Sequence, residues 1–250
     1  MTERRIIALE GGLAAEIYDE LDSTNAEALR RIRAGTARDE WIVATRQTAG
    51  RGRKGRSWIS EEGNLFATRL LRANCPRSRA AQLSFVAGLA THDAVVLAVS
   101  ETPDVRCKWP NDVLINDRKV AGLLLETEGS GDLAEWVAIG IGINVVHAPD
   151  DVIFPATSIA AEDGKTSAED VLRHLNERME FWVGKWRKQG FSAVREAWRN
   201  VAAHLGQTIS VQADGERITG RFADIDEHGA LILQMADGET RKITAGDVFF

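Results

Sequence analysis

Residues 105–146 read VRCKWPNDVLINDRKVAGLLLETEGSGDLAEWVAIGIGINVV, and this stretch decides the fold. Its apolar runs VRCKW, VLIN, KVAGLLLETE and EWVAIGIGINVV are short, and the turn signals Pro110-Asn111 and Asp117-Arg118 punctuate them. That spacing predicts an antiparallel meander with one apolar face on a core. Upstream, Trp41–Thr45 (WIVAT) and Asn64–Leu71 (NLFATRLL) read as two further strands. Alanine-rich Ser78–Val99 reads as a buried helix. LDSTNAEALRRIRAG reads as a capped helix, with Thr24 and Glu27 at capping-box spacing and Gly35 as its stop. Downstream, helical spacing resumes at Ser167–Lys188 and Phe191–Leu205. After Gly206 the period becomes two, with turns at Asp214-Gly215, His228-Gly229 and Asp237-Gly238, which predicts a small β-barrel. The expected class is therefore α+β, a mixed and largely antiparallel sheet packed with helices. A boundary near residue 205 divides it into units 1–204 and 205–250.

The chain has 250 residues, 44% hydrophobic and 27% charged, a composition that excludes disorder and fibrous repeats. Its net charge of −6 argues against a general nucleic-acid coat. Cys75 and Cys107 share no CxxC spacing and no histidine pair, so neither a disulfide framework nor a zinc site is expected. No apolar run has the length of a membrane span, and the amino terminus lacks a long hydrophobic segment. The reading is a reduced, cytoplasmic protein without a membrane partner. Against the acidic whole stands one basic island, Arg46 to Arg56, with five cations and no acid.

Four segments can carry chemistry. In Gln47–Trp58 (QTAGRGRKGRSW), glycines let backbone N–H groups approach an anion, and arginines add forked donors. A nucleic-acid or surface patch fits the charge equally, but cations interleaved with glycine in one loop suit a single small anion better. In Lys108–Asp112 (KWPND), proline ends a strand and offers an amide and a carboxylate at a fixed corner, or simply a turn. Lys119, in RKVAG, is a candidate for holding a carboxylate or an acyl phosphate; an edge-strand charge is the plainer alternative. Alternate glycines in GIGIN (140–144) bare one strand face, for a flat apolar ligand or for close packing of a helix. The histidines show no ligand spacing, and Trp182, Trp186 and Trp198 read as a core face.

These segments in this order, with DSTN (22–25) ahead of them, resemble the biotin–protein ligase family. The likeness is strong over about residues 15–160 and weaker over the C-terminal barrel. It implies a class II synthetase-like catalytic domain followed by an SH3-like barrel. It also implies a reaction in two steps: biotin and ATP give biotinyl-5′-AMP with Mg2+ present, and the biotinyl group then passes to one lysine of a biotin carboxyl carrier domain.

By the same likeness Lys119, Arg53 and Asp112 are catalytic. Lys119 neutralises the biotin carboxylate, Arg53 clamps the phosphate, and Asp112 orients or deprotonates the acceptor lysine. Ser23, Thr24, Gln47, Gly50, Arg51, Lys119, Gly122 and Gly142 fall at biotin-binding positions, the last two glycines leaving room for the ring and valeryl chain. Arg51, Arg53, Arg56, Trp58, Asn111 and Asn144 fall at adenylate-binding positions, and no metal ligand is assigned. Bifunctional members carry an N-terminal DNA-binding winged helix. The stretch before Asp22 is too short for one, so the expectation is a monofunctional ligase, monomeric or homodimeric, without a DNA partner. A lipoate or octanoyl transferase is the nearest enzymatic rival. A nucleic-acid module built on the basic loop and barrel is the rival from another class.

Overall fold

The computed structural model describes residues 4–100, 103–150, 152 and 154–250; Met1–Glu3 of the charged opening segment lie outside the described residues. The chain runs β1 (Arg4–Ala8), β2 (Ala14–Leu21), α1 (Thr24–Arg33), β3 (Glu40–Gln47), β4 (Leu65–Pro76), α2 (Arg77–Ala81) and α3 (Leu83–Ala98). The meander follows as β5 (Val105–Lys108), β6 (Asp112–Ile115), β7 (Arg118–Glu128) and β8 (Leu133–Ile143). Helices α4 (Ala168–Gln189) and α5 (Phe191–Asn200) lead into β9 (Thr208–Ala213), β10 (Glu216–Ile225), β11 (Leu231–Gln234), β12 (Thr240–Ile243) and β13 (Asp247–Phe249).

Strands β1–β8 form one sheet in the order β1-β2-β3-β4-β8-β7-β6-β5, and β9–β13 form a second in the order β12-β11-β10-β9-β13. All pairings in the first sheet are antiparallel except β2 with β3, so the sheet is mixed and largely antiparallel, as expected. β1 and β2 have no counterpart in the sequence reading. The run AAEIYDEL of β2 carries acids at strand positions, and its Glu16 is buried. What makes that placement tolerable is distant in sequence: Arg4, Arg31 and Arg38 all close on the Glu16 carboxylate.

Helix α1 begins differently from the capping-box expectation. Ser23 is the N-cap, accepting from the Ala26 N–H, while Glu27 turns outward to Arg30 and Arg31. Thr24 is drawn off the cap because its hydroxyl faces buried Thr68 instead. Gly35, at φ 69°, does follow the helix end. The expected helix over 78–99 is interrupted at Gln82, whose side-chain oxygen accepts the Trp186 indole N–H at 2.9 Å. By length and composition Arg77–Ala98 is apolar enough to cross a membrane, contrary to the sequence reading, but 61% of that window is buried within the protein. Helix α5 stops at Asn200, short of the expected Leu205. The chain there leaves the helix to bracket β5, with Cys107 N–H donating to Val201 O and Ala203 N–H donating to Cys107 O, both at 2.8 Å.

The two sheets share one core. Phe85 stands edge-on to Phe191 and to Trp198, each at 5.3 Å between ring centroids. Gly229, at φ 89°, comes so close to Phe85 that a Cβ there would lie 2.4 Å from the ring. Trp109 adds a polar rivet, its indole N–H donating to Gly229 O at 3.0 Å. Trp182, Trp186 and Trp198 are all buried in this core.

Candidate active site

A cavity of about 460 Å³ opens on the sheet face beneath the N-terminus of α1. Ser23, Thr24 and Asn25 supply one end, Gln47 and residues 51–53 and 56–59 one side, and β7 and β8 the floor. Of the residues expected to form the site, all but Gly50 line this cavity. Gly50 stands behind the wall: a Cβ there would lie 2.5 Å from Trp58 O, so the loop closes on itself only with glycine.

The floor is built by register. Gly122 faces Gly142, and Gly142 faces Phe66 on the next strand, which leaves a bare strip of backbone. Lys119 reaches the same face through a bulge. Val113 pairs with Ala121 and Leu114 with Lys119, so Val120 is an extra residue. Val120 and Ala121 both point into the core at 0% exposure, which turns Lys119 back toward the cavity. Its ammonium lies 2.7 Å from an Asp112 carboxylate oxygen, a contact of charges without the alignment of a hydrogen bond. The lysine's backbone is pinned by the 155–157 segment, through Lys119 N–H to Pro155 O and Thr157 N–H to Lys119 O.

The strip over Gly122 and Gly142 differs from expectation. The Trp58 indole lies on it: a Cβ at Gly142 would be 2.5 Å from the ring, and one at Gly122 2.7 Å. The room expected there for a flat ligand is therefore occupied by a side chain of the glycine-rich loop. The indole N–H is buried and has no hydrogen-bond partner among the described residues, a cost that a moved or liganded tryptophan would relieve.

The basic island is organised rather than free. Gly52 N–H donates to Arg56 O at 2.7 Å, closing a tight loop in which Lys54 takes a left-handed conformation at φ 55°. Arg51 pairs with Glu126 at 2.8 Å, while Lys54 and Arg56 pair with Asp247 of β13 at 3.1 and 2.9 Å. Burial pushes the Asp247 carboxyl up, but Lys54 and Arg56 outweigh it and leave it below the usual carboxylate range. Arg53 points inward, donating to Asn111 Oδ1 at 3.1 Å. Burial pulls its guanidinium below the ordinary arginine value.

Asn111 donates in turn to Leu123 O at 2.6 Å. Its amide is thus engaged on both sides, and it acts here as a bracket for Arg53 rather than as a free ligand group. Asn144 donates to Thr157 O at 3.0 Å and keeps its amide oxygen for the cavity.

Several residues escaped the sequence reading. Asn25, within the DSTN segment, fills the hollow over Gly140, where a Cβ would lie 2.4 Å from its amide oxygen. It donates to Leu124 O at 3.1 Å and to Glu126 at 2.9 Å. Thr68 Oγ1 lies 2.7 Å from Asn25 Oδ1 and 2.8 Å from Thr24 Oγ1. Thr24 N–H donates to Gln47 Oε1 at 2.9 Å, and Gln47 Nε2 donates to Ser60.

Lys108 was quoted in its motif without a role. It is buried, with its ammonium 3.9 Å from the Phe154 ring centroid and 4.7 Å from that of Phe250. Burial lowers its pKa to about 8, partly offset by Asp112. Its charge is therefore present below about pH 8 and lost above it. Lys108 does not itself line the cavity but lies against Phe154, which does, so affinity of the cavity for a polyphosphate is expected to weaken as pH rises from about 7 to 9, and the Lys108→Met variant to show a flatter profile. Calorimetric titration of inorganic tripolyphosphate at several pH values checks this; parallel profiles would dissociate Lys108 from the site's field.

This arrangement has counterparts of known identity. The family model described as Biotin/lipoate A/B protein ligase family matches residues 19–144, and the Biotin protein ligase C terminal domain matches 204–250. The biotin–[acetyl-CoA-carboxylase] ligase of Paracoccus denitrificans is 42% identical over 92% of this chain and 97% of its own length. Among solved structures, the biotin protein ligase from Aquifex aeolicus in complex with biotin and ATP superposes with a TM-score of 0.79 at 27% identity, over 94% of this chain and 97% of that one. The Leishmania major biotin protein ligase in complex with biotinyl-5-AMP gives a TM-score of 0.64 at 26% identity, over 90% and 96%. Matched by the family model over residues 19–144 and by a 42% identical relative over nearly the full length of both chains, this chain belongs to the biotin protein ligase family.

Proposed function

We propose that the chain is an ATP-dependent biotin–protein ligase that condenses biotin with ATP to biotinyl-5′-AMP and passes the biotinyl group to a lysine of a biotin carboxyl carrier domain. The observation that carries this reading is the convergence of four separated motifs on one cavity, with a polar end at Thr24 and Gln47 and a cationic end at Arg53 and Lys119. Attack of a carboxylate on an α-phosphate brings two anions together, and the barrier falls when fixed cations already face both. Lys119, held between Asp112 and the glycine floor, is placed to meet the carboxylate and then the acyl–phosphate oxygen. Arg53, held by Asn111, meets the phosphate. When the adenylate forms, Asp112 is the carboxylate nearest the ammonium and is the group to receive or orient the acceptor lysine.

Mg2+ fits as a passenger on the nucleotide. Among the described residues no group of three histidine, cysteine or carboxylate side chains converges on one point, and Asp112 is the one carboxylate lining the cavity. Mg2+ is commonly held by one or two carboxylates and substrate phosphates, and it would supply further charge neutralisation there.

The rest of the reading is a ligase acting in the cytoplasm, with neither DNA nor membrane as partner, working as a monomer or homodimer, with a catalytic unit 1–204 and a barrel 205–250. Pairing of Arg51, Lys54 and Arg56 with carboxylates supports the lack of a DNA role, because caged cations release few counterions from a polyanion. The deciding experiment incubates the protein with a carrier domain, ATP and either biotin or lipoate, with and without Mg2+, followed by mass spectrometry. Lipoyl transfer in place of biotinyl transfer would overturn the assignment.

A ligand seated on the Gly122–Gly142 strip must displace the Trp58 indole. Tryptophan emission is therefore expected to change when biotin and ATP are added to the parent, and to change far less in Trp58→Phe. Equal changes in both proteins would mean that the indole stays where it is.

A further inference from the structure

Resting on the ligase reading, we infer that Thr68, wired through Asn25 to Glu126, fixes the hydrogen-bond polarity of the ring end of the cavity and so selects a ligand edge bearing an N–H beside a carbonyl. Thr68 is fully buried and does not line the cavity. It is a positioning residue, acting through Thr24.

The polarity follows from counting protons. Leu124 O accepts only, and the Glu126 carboxylate accepts only, so the Asn25 side that faces both must be its NH2. Glu126 is committed further, because the same oxygen accepts from Arg51 at 2.8 Å. Asn25 Oδ1 therefore faces Thr68 and can only accept. A hydroxyl has one proton, and Thr68 must give it to Asn25 Oδ1 at 2.7 Å. Thr68 Oγ1 is then an acceptor toward Thr24 at 2.8 Å, and the Thr24 hydroxyl spends its own proton on it in preference to Gln47 Oε1, its other acceptor, which is farther off at 3.3 Å. What Thr24 can offer the cavity is a lone pair.

Gln47 is oriented the other way. Its Oε1 accepts the Thr24 N–H at 2.9 Å, which leaves Nε2 as a donor, one hydrogen on Ser60 and the other free. The wall thus presents one acceptor and one donor side by side. That pair complements a cyclic urea edge, N–H to Thr24 and C=O to Gln47. It repels a ring oxygen placed where the urea has N–H, since two lone pairs would then face each other.

The test compares biotin with its cyclic carbamate analogue, in which one ring N–H is replaced by oxygen. In Thr68→Val the Thr24 hydroxyl loses its 2.8 Å acceptor, keeps only the longer contact to Gln47 Oε1 at 3.3 Å, and can turn its proton into the cavity. The preference for urea over carbamate, measured as the ratio of kcat/KM for adenylation, is expected to fall about tenfold, the worth of one hydrogen bond reversed. Thr68→Ser keeps the hydroxyl and is expected to keep the ratio, which separates polarity from packing. An unchanged ratio in Thr68→Val, with both substrates weakened alike, would overturn the relay while leaving the ligase reading intact. So would a Thr68→Ser variant that loses the ratio while remaining folded by circular dichroism. A parent protein that adenylates neither compound overturns the ligase reading and the relay with it.

Discussion

Replacing Lys119 with alanine is expected to lower biotinyl-5′-AMP formation about 1,000-fold, since the positioned cation stabilises charge that develops as carboxylate and phosphate meet. The ammonium has no substitute on the floor: Gly122 and Gly142 carry no side chain, and Arg53 is tied to Asn111. Stability should change little. Lys119 holds its place largely through backbone hydrogen bonds to Pro155 and Thr157, which alanine keeps. The group most deprived is Asp112, whose oxygen facing the lysine is buried but borders the cavity, so that water entering the space left by the side chain limits the cost to about 1 kcal/mol and a melting shift of a few degrees. Pyrophosphate release and a thermal melt on the same variant check both halves. A melting temperature lowered enough for lost activity to track the unfolded fraction would mean that Lys119 is a structural charge.

Arg53→Gly should behave differently, forming the adenylate but failing to keep it. Arg53 is the arginine of the glycine-rich loop that is not paired with a carboxylate; Arg51 and Arg56, which also line the cavity, and Lys54 are engaged by Glu126 and Asp247. Removing the clamp takes away a charge-assisted contact to the phosphate. Release of biotinyl-5′-AMP is expected to quicken by about 100-fold, as for the loss of a strong ionic hydrogen bond of about 3 kcal/mol. The freed mixed anhydride acylates any accessible lysine, so a bystander protein without carrier-domain structure becomes labelled. Equal retention of the intermediate by parent and variant, measured by rapid filtration, would remove Arg53 from the clamp.

Much of this was legible in the sequence because the relevant signals are local. The meander is marked by its turns, and the cavity by glycines and cations whose spacing needs no tertiary contact. What escaped depends on partners far along the chain. Strand β2 carries Glu16 inward, which a hydrophobic alternation does not signal, and Arg4, Arg31 and Arg38, with the Tyr18 hydroxyl, make it tenable. Period-two reading puts Lys119 and Gly122 on opposite faces; the bulge at Val120 puts them on one, and a bulge is a property of the pairing. Thr68 reads as an ordinary strand residue until Asn25 is placed above Gly140. The glycine strip was read as room for a ligand, yet bare backbone accommodates any flat ring, and Trp58 is the ring that lies there.

The interlock of Phe85, Trp198 and Gly229 bears on how the protein comes apart. Because one continuous apolar cluster runs from the large sheet into the β9–β13 sheet, detaching the barrel would expose Phe85, Phe191 and Trp198 together and strand the Trp109 indole N–H. Neither part can melt without taking the other's core with it. The expected heat-capacity trace is a single cooperative peak, and a nucleotide held near the seam would raise that peak whole instead of splitting it in two.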